Sequence, residues 1–402
     1  MSARRISDRV FWVGALDWDR RLFDSLVPLP DGTTYNAYVI RGSQATALID
    51  TVDPTMTHVL QENLTSLDVG KLDYIICNHA EQDHSGSLPD IMARFPSAKV
   101  VCTPRCAELL SLLLHVPGDR LVTVQDGETL SLGDLTLEFI HAPWVHWPET
   151  MLTYLREEST LFPCDLFGSH LAASELSALE SPQLGEAIKR YYAEIMMPFA
   201  RNIAKHLERL GNYEIGRICP SHGPIYDRPE YVLALYREWV LAEPKNLATI
   251  AYVTMHGSTR MLTDHLVAAL IARGVGVERF DLVGVDIGRL AMSLVDAATV
   301  LIGTPTVLAG PHPSAVYAAH LVNALRPKAK FVGVYGSYGW GTRADEQLAA
   351  QLTNLRPQVL DSVLVKGMPR SEDYAALDRL ADTIASKHAE AGLKSRTPES
   401  GS

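Results

Sequence analysis

The sequence predicts two α/β domains that differ in how their strands and helices alternate. The chain has 402 residues, more than one core usually supports, so two domains are expected. Before Pro244, short apolar runs recur between turn residues, and strands dominate. After Pro244, five strands alternate with helices, which is typical of a doubly wound parallel sheet. We therefore expect domains at residues 1–245 and 246–391, a linker at 243–246 and a disordered tail at 392–402.

Each element is predicted from its apolar period and its flanking turn residues. Strands of the first domain are expected at Ala37–Ile40, Ala47–Ile49, Leu72–Cys77, Val100–Cys102 and Leu135–Ile140. Its helices are expected at about 85–94, 104–115 and 183–210. The second domain is expected to begin with strand 248–254, helix 258–273, strand 277–281, helix 286–296 and strand 298–302. The alternation then continues to a final helix that ends near Ala391.

Composition excludes several classes of protein. The net charge of −11 disfavours nucleic acid and anionic membranes as partners. No stretch approaches the roughly 18 to 20 apolar residues that a membrane span needs. The N-terminus is basic but lacks the apolar segment of a signal peptide, so a cytoplasmic location is expected. The odd number of cysteines, 5, argues against a disulfide framework, and Cys102-x-x-x-Cys106 fits no common metal motif, so reduced core thiols are expected.

The segment His79-x-Glu81-x-Asp83-His84 places four potential metal ligands within six residues, directly after a buried strand. On a strand-to-helix loop, alternate positions converge on one side while His84 turns to an adjacent point, which suits two metals better than one. Further candidate ligands follow apolar stretches at wide intervals: His146, Asp165 and His222.

The donor set constrains the metal. Four imidazoles and three carboxylates suit iron or manganese, and zinc also accepts such ligands. Asp165 is the natural bridging candidate because a carboxylate has two oxygens. His141 and His170 lie five residues from His146 and Asp165, respectively. We expect these two histidines to orient ligands or pass protons.

This order of motifs resembles the flavodiiron proteins, whose metallo-β-lactamase-like domain carries His-x-Glu-x-Asp-His, a later His, a bridging Asp and a final His. Hydrolases of the wider fold normally have His where Glu81 stands here, and they hold zinc. The resemblance implies that seven residues hold two irons: His79, Glu81 and His146 on one, Asp83, His84 and His222 on the other, and Asp165 shared.

Three segments of the second domain form a candidate ligand site. The first strand runs through residues 254–259 directly into a helix, where hydroxyls and free amides suit a phosphate. Residues 303–310 and 336–342 follow the third and fourth strands, at the edge where doubly wound sheets bind ligands. Tyr338 and Trp340 are placed to flank a flat ring.

These segments resemble the flavodoxin-like half of the same family, which implies FMN. The expected phosphate contacts are Thr254, Met255, His256, Gly257, Ser258 and Thr259. The expected isoalloxazine contacts are Thr304, Pro305, Thr306, Val307, Leu308, Gly310, Ser337, Tyr338, Gly339, Trp340 and Gly341. Two departures from the family pattern stand out. Residues 307–309 replace Ile and paired Asn, and residues 22–29 lack the His-Gly-Tyr stretch found in many members.

The resemblance covers residues 8–391 and implies a metallo-β-lactamase-like αββα sandwich followed by a flavodoxin-like five-stranded parallel sheet. It further implies reductive scavenging of dioxygen to water, of nitric oxide to nitrous oxide, or of both, at two Fe. Electrons are expected to come through FMN from a rubredoxin-like donor protein. The expected assembly is a head-to-tail homodimer or homotetramer, in which one subunit's FMN faces the other's irons. Tyr191 and Tyr192 are candidates for that interface.

Two alternatives from other classes remain open at this point. One is a binuclear zinc hydrolase of metallo-β-lactamase type fused to a flavodoxin-like electron carrier, and Glu81 argues against it. The other is an electron-transfer module with a structural metal. The lack of a cysteine ligand in the set argues against a purely structural site.

Overall fold

The computed structural model describes residues 2–393, which form two compact units. The first comprises the chain up to Tyr192 together with Phe199–Val240. The second comprises Ala193–Pro198 and the chain from Leu241 onward. Of the tail expected at 392–402, only its first two residues lie within the described part. Among the described residues, no helix has both the length and the apolar character that crossing a bilayer requires.

Two mixed sheets build the first unit. Among the described residues, the larger sheet contains, in spatial order, Arg4–Arg5, Val10–Trp12, Tyr38–Arg41, Thr46–Ile49, Tyr74–Ile76, Lys99–Cys102 and Leu121–Thr123. The smaller contains Thr129–Ser131, Thr136–His141, Met151–Leu155, Thr160–Phe162 and Arg217–Ile218. Two short ribbons pair Ala15–Asp17 with Thr33–Tyr35, and Leu22–Phe23 with Val27–Pro28.

The strands of the larger sheet send alternate side chains into two different cores, as the two-residue period of a strand requires. Ile76 and Val101 pack against the smaller sheet, for example beside Phe139. Their neighbours Ile75 and Val100 pack on the opposite face against the first unit's helices. The result is the predicted αββα sandwich, and the near-continuous apolar runs of the sequence reflect burial on both faces.

The α-helices of the first unit cover its outer surfaces. They are Thr57–Ser66, Gln82–Ser85, Leu88–Arg94, Pro104–Leu114, Pro182–Tyr191, Ala200–Leu210 and Pro229–Leu241. The single helix expected at 183–210 is wrong, because a π-helical turn at Tyr192–Met196 and a 3-10 turn at Met197–Phe199 interrupt it. Pro198 explains part of the break, since proline lacks a backbone donor and its ring clashes with the preceding turn.

The second unit is a parallel sheet flanked by helices. Its strands lie in the order Gly276–Asp281, Lys245–Tyr252, Ala297–Val307 and Phe331–Tyr338, with Gln358–Val359 and Val363–Lys366 both along the last of these. Its α-helices within the described residues are Ser258–Ala272, Ile287–Asp296, Pro313–Leu325, Ala344–Ala349 and Ser371–Glu390. The first strand lies between the second and the third, so the winding direction reverses beside it. This is the predicted doubly wound sheet.

One predicted loop is largely a strand. The third strand was expected to end at residue 302, but it continues to Val307 and pairs back with Gly310–Pro311. Leu308 and Ala309 form the turn between them, with φ of 50° and 64°. Two successive positive φ angles define the tight hairpin turn that usually takes Asn or Gly. The sequence conceals this turn because Leu and Ala rarely adopt such angles.

His388 is buried in the final helix, where it joins two strands of the second unit. Its Nδ1 donates to Asn246 Oδ1 (2.7 Å), and its Nε2 accepts from the Thr299 hydroxyl (2.6 Å), as a neutral imidazole allows. Burial lowers the pKa of His388 to about 4. The folded state therefore resists protonation of this side chain.

We expect His388 to make the stability of the protein sensitive to acid. The unfolded chain protonates this residue near pH 6.5 and the folded chain only near pH 4. Its contribution to the free energy of unfolding is thus full above pH 6.5 and declines as the pH falls toward 4. Thermal unfolding of wild type and His388→Gln across this range tests the point, and the wild type's advantage in melting temperature should shrink with acidification. A constant difference would contradict it.

Candidate metal centre and flavin site

The segment 79–84 begins three residues after a buried strand. Tyr74–Ile76 is central in the larger sheet, and the chain leaves it at the sheet's edge. His79 and Glu81 lie on the connecting loop, as expected. Asp83 and His84 instead lie in the short helix Gln82–Ser85, which corrects the expectation of a continuous loop. Successive helical residues point about 100° apart, so these two side chains approach neighbouring points.

The other three candidate ligands lie on segments that join or follow strands of the smaller sheet. His146 lies between Thr136–His141 and Met151–Leu155. Asp165 follows Thr160–Phe162, and His222 follows Arg217–Ile218. Since these strands are neighbours in the sheet, residues far apart in sequence meet at one place.

One group, named here the first ligand set, consists of His79, Glu81, His146 and Asp165. Its ligand atoms lie within 4.8 Å of one another. Glu81 Oε2 is 3.0 Å from His79 Nε2 and 3.2 Å from His146 Nε2. Asp165 Oδ2 lies 3.6 Å and 3.4 Å from the same two nitrogens.

Asp83, His84 and His222 form the second ligand set, whose ligand atoms also lie within 4.8 Å of one another. Asp83 Oδ1 is 3.4 Å from His84 Nε2, and Asp83 Oδ2 is 3.0 Å from His222 Nε2. The second oxygen of Asp165, Oδ1, lies 3.0 Å from His84 Nε2 and 3.4 Å from His222 Nε2. Asp165 therefore presents one oxygen to each set, which is the geometry of a bridging ligand.

Mutual attraction between acids and imidazoles dominates the electrostatics. Burial lowers the pKa of His146, but the adjacent carboxylates of Asp165 and Glu81 outweigh it and raise the pKa to about 9. Burial likewise opposes charge on His222, yet the adjacent carboxylates of Asp165 and Asp83 raise its pKa to about 10. Burial raises the pKa of Asp165, but its imidazole neighbours, His84 foremost, hold that pKa well below its usual range. The imidazoles therefore keep Asp165 ionised, and its negative charge attracts cations.

The donor chemistry fits two divalent cations. Within the described residues, neither oxygen of Asp83 and not Oδ2 of Asp165 has a hydrogen-bond partner, although all three are buried. Buried ionised oxygens are unfavourable unless a positive charge compensates them. Nitrogen and oxygen donors without thiolate suit iron, manganese or zinc.

A cavity of about 530 Å³ opens beside Glu81 and Asp83. Its wall includes Phe23 and Asp24, which belong to the hairpin of Leu22–Phe23 and Val27–Pro28 in the segment that departs from the family pattern. The Phe23 ring packs 5.3 Å from that of His170 and 6.3 Å from that of His222. The segment thus lies directly at the ligand sets.

The two candidate accessory histidines differ in position. His170 is buried beside the second set, with its ring 5.0 Å from that of His222. Its Nδ1 lies 2.8 Å from the Thr33 hydroxyl, and no described residue hydrogen-bonds to its Nε2. Burial lowers the pKa of His170 well below its usual range. His141, in contrast, is not brought to the ligand sets, because its Nε2 contacts the carbonyl of Val124 at 3.1 Å.

Sequence reasoning assigned no role at the metal centre to Tyr191 or Glu149. The Tyr191 hydroxyl donates to Asp165 Oδ1 (2.8 Å). Glu149 Oε1 accepts from His79 Nδ1 (2.7 Å). Tyr191 and Tyr192 are both 1% exposed and pack within their own unit, so neither offers an interface surface in this chain. The one available signal was the acidic residue three positions after His146.

The three segments of the second unit come together at the carboxyl ends of its strands. The Thr259 and Ser337 hydroxyl oxygens lie 3.4 Å apart, and the Thr306 hydroxyl donates to that of Thr342 (2.8 Å). These contacts join all three predicted cofactor segments. The Thr254 hydroxyl accepts from the backbone N–H of Gly257 (3.1 Å) and so shapes the turn before the helix.

The turn and its surroundings fit a flavin phosphate. No described side chain caps the helix Ser258–Ala272, so its first backbone N–H groups are available to an anion. Gly257 has a φ of +95°, and nothing lies within 4 Å of the position of a Cβ there, so the cradle is open. Leu308 and Trp340 are 96% and 90% exposed, which suits apolar groups that a flat ring would cover.

Comparison with known proteins gives matches over nearly the whole chain. The model of the ODP family beta lactamase matches residues 33–223. The nitric oxide reductase of Moorella thermoacetica is 36% identical over 394 residues, covering 96% of this chain and 98% of the relative. The rubredoxin oxygen:oxidoreductase of Desulfovibrio gigas has a TM-score of 0.94 at 31% identity, covering 98% of this chain and 100% of the other. The flavodiiron protein of Giardia intestinalis has a TM-score of 0.91 at 27% identity, covering 98% and 99%.

The fold and the paired ligand sets define a two-domain metalloflavoprotein. The chain belongs to the flavodiiron family. The predicted family, both predicted folds and the predicted pair of cofactors, two irons and FMN, are therefore confirmed. The chain is an oxidoreductase, and the zinc hydrolase alternative is not favoured.

We expect Tyr191→Phe to destabilise the metal-free protein by about 2 kcal/mol, because a hydrogen bond to a buried carboxylate is lost. Tyr192→Phe is the matched control. Its hydroxyl donates to the carbonyl of Trp239 over 3.4 Å, a longer bond to an uncharged acceptor. Denaturant unfolding of both variants after chelation checks the prediction, and equal effects would contradict it.

Proposed function

We propose that this protein reduces dioxygen to water, nitric oxide to nitrous oxide, or both, at two irons held by the first and second ligand sets. The observation that carries the proposal is Asp165, which turns one carboxylate oxygen toward each set. Two metals that share a bridge are close enough to act together on one small molecule. The names of relatives, a nitric oxide reductase and a rubredoxin oxygen:oxidoreductase, support this class of reaction.

Two ferrous ions held by the ligand sets would supply electrons and open positions for a diatomic gas, and a bound FMN would supply electron transfer in single or paired steps. The protein's own residues supply orientation and access. Asp165 keeps its place through the hydroxyl of Tyr191. The cavity beside Glu81 and Asp83 gives a small molecule a route to the ligand sets. No described residue hydrogen-bonds to His170 Nε2, and its ring lies 5.0 Å from that of His222, so this nitrogen can hydrogen-bond to a substrate oxygen or hold a proton beside the second set.

Glu81 supports a reductase over a hydrolase. Its carboxylate oxygen lies between the imidazoles of His79 and His146, so it takes the position where a metallo-β-lactamase-type hydrolase would have a third imidazole. A carboxylate is a harder donor and adds negative charge, which favours iron over a purely nitrogen-ligated zinc. We propose a rubredoxin-like protein as the electron donor, as the name of the Desulfovibrio gigas relative suggests.

We further propose that the chain works as a head-to-tail homodimer, or as a homotetramer built from two such dimers. In that arrangement the FMN of one subunit serves the irons of the other. A cytoplasmic location is also proposed. It is supported by the five cysteines, which are all free thiols, as is usual in a reducing compartment. Cell fractionation tests the location.

Gas electrodes test the reaction directly. Anaerobically reduced protein with excess donor should consume dioxygen, nitric oxide or both, and Asp165→Asn should abolish this consumption while FMN remains bound. Consumption of only one of the two gases by the wild-type protein would identify that gas as the substrate. If protein that holds both irons and FMN consumed neither gas, the proposal would be wrong.

Mixing two inactive variants tests the head-to-tail arrangement. Asp165→Asn removes the bridge, and Ser258→Asp places a negative charge where the flavin phosphate would bind. Each variant alone should be inactive. Unfolding and reassembling them together should restore part of the activity if flavin and irons act across subunits. No recovery in mixed dimers, verified by mass, would exclude the arrangement.

A further inference from the structure

A buried carboxylate lies directly behind the first ligand set. Glu149 is 2% exposed, and its Oε1 accepts from His79 Nδ1 (2.7 Å) and from the backbone N–H of Ala80 (3.1 Å). The backbone carbonyl of Glu149 accepts from the Thr103 hydroxyl (2.9 Å). The residue is therefore held both by its side chain and by its backbone.

This contact fixes the tautomer of His79. An ionised carboxylate only accepts hydrogen bonds, so Nδ1 of His79 must carry a proton. The remaining nitrogen, Nε2, faces the first ligand set, where it donates to Glu81 Oε2 (3.0 Å) and lies 3.6 Å from Asp165 Oδ2, so its lone pair becomes available when a metal displaces that proton. His79 is thus oriented as a ligand before any metal arrives.

The second ligand set has a different kind of support. His222 Nδ1 lies 2.6 Å from the backbone carbonyl of Thr34 and donates to it. That acceptor is neutral, whereas Glu149 can carry a full negative charge. A negative acceptor draws the imidazole proton more strongly and so makes the opposite nitrogen a better electron donor. His79 and His222 are therefore chemically unequal ligands although both are imidazoles.

Hydrogen bonding alone does not explain why a charged residue stands at position 149. A neutral side chain could accept from His79 and Ala80 equally well, and burying a carboxylate is costly. Moreover, no described residue hydrogen-bonds to Oε2, and the neutral donor to Oε1 is the backbone N–H of Ala80. Its close partner is the imidazole that faces the first ligand set.

We propose that Glu149 is a positioning residue that holds His79 in its metal-binding tautomer and strengthens it as an electron donor. This inference rests on the proposed function, because it takes the first ligand set as an iron site. An iron in the first set would consequently be held by a more electron-rich imidazole than His222 would offer to an iron in the second. Loss of the charge should weaken the first site selectively.

Glu149→Gln isolates the charge from the hydrogen bond. Glutamine has the same length, and Ala80 N–H selects its amide oxygen for the position of Oε1, so the contact to His79 Nδ1 is retained. Glu138→Gln is the matched control. Glu138 accepts from Arg156 and Tyr213 in the same unit and contacts neither ligand set.

The first measurement is iron release from the holoprotein to a chromogenic ferrous chelator. We expect one of the two irons of Glu149→Gln to leave roughly 10- to 100-fold faster than in wild type, the range found for such supporting partners. The second iron and the Glu138→Gln control should behave as wild type. If Glu149→Gln released both irons at the same rates as the wild type, the inference would be overturned.

Mössbauer spectra of the diferrous proteins give a second readout that a merely structural role would not change. One quadrupole doublet should shift in Glu149→Gln while the other stays, and unchanged doublets would refute the electronic role. If Glu149→Gln fails to fold, Glu149→Asp replaces it. It keeps the charge but withdraws the carboxylate from His79, and faster release of one iron would support the inference, whereas wild-type release would overturn it.

The outcome also separates this inference from the function itself. Wild-type protein that binds no pair of irons would refute the proposed function. Wild-type protein that binds two irons and consumes gas, with Glu149→Gln behaving identically in both measurements, would refute only the role of Glu149.

Discussion

One buried carboxylate organises the first domain. Asp165 lies within 3.6 Å of imidazole nitrogens from His79, His84, His146 and His222, which come from three separate parts of the chain. Such a concentration of charge is stable only if every partner stays in place. Several elements hold Asp165 and its imidazole partners in this arrangement. They are the strands that end here, the helix that supplies Tyr191 and the hairpin that supplies Phe23. The fold of the first domain is thus constrained by the need to keep the partners of Asp165 in place.

The candidate flavin site of the second domain is built differently. The flavin segments are held to one another by hydroxyl contacts, Thr259 with Ser337 and Thr306 with Thr342, instead of by a packed core. Their most apolar side chains, Leu308 and Trp340, face solvent. A surface built in this way is complete only with its ligand. The first domain presents buried negative charge to metal ions. The second domain presents backbone N–H groups and exposed apolar side chains to a flavin.

The sequence was sufficient to predict which residues meet in the two ligand sets, because they stand in short motifs at strand ends, where donor types and spacing are visible. It was insufficient for Tyr191 and Glu149, whose roles arise only when the fold brings them to Asp165 and His79. The same limit explains the two wrong boundaries. The apolar period predicts a helix at 183–210 but does not predict the turn that interrupts it. The third strand of the second domain turns at Leu308 and Ala309, where no glycine or asparagine marks a hairpin.

The placement of the cysteines bears on how long such a protein can survive its own substrates. All five thiols are buried, including Cys77 and Cys106, whose sulfur atoms lie 3.8 Å apart within the helix-facing core. Thiol damage by oxygen and nitrogen oxides requires both an ionised sulfur and access to it. Cys164 lies beside the ligand sets, its sulfur within 4.8 Å of ligand atoms of His84 and Asp165, so distance does not protect it from these oxidants. Burial raises the pKa of that thiol well above its usual range and so keeps the sulfur in its unreactive, protonated form during turnover.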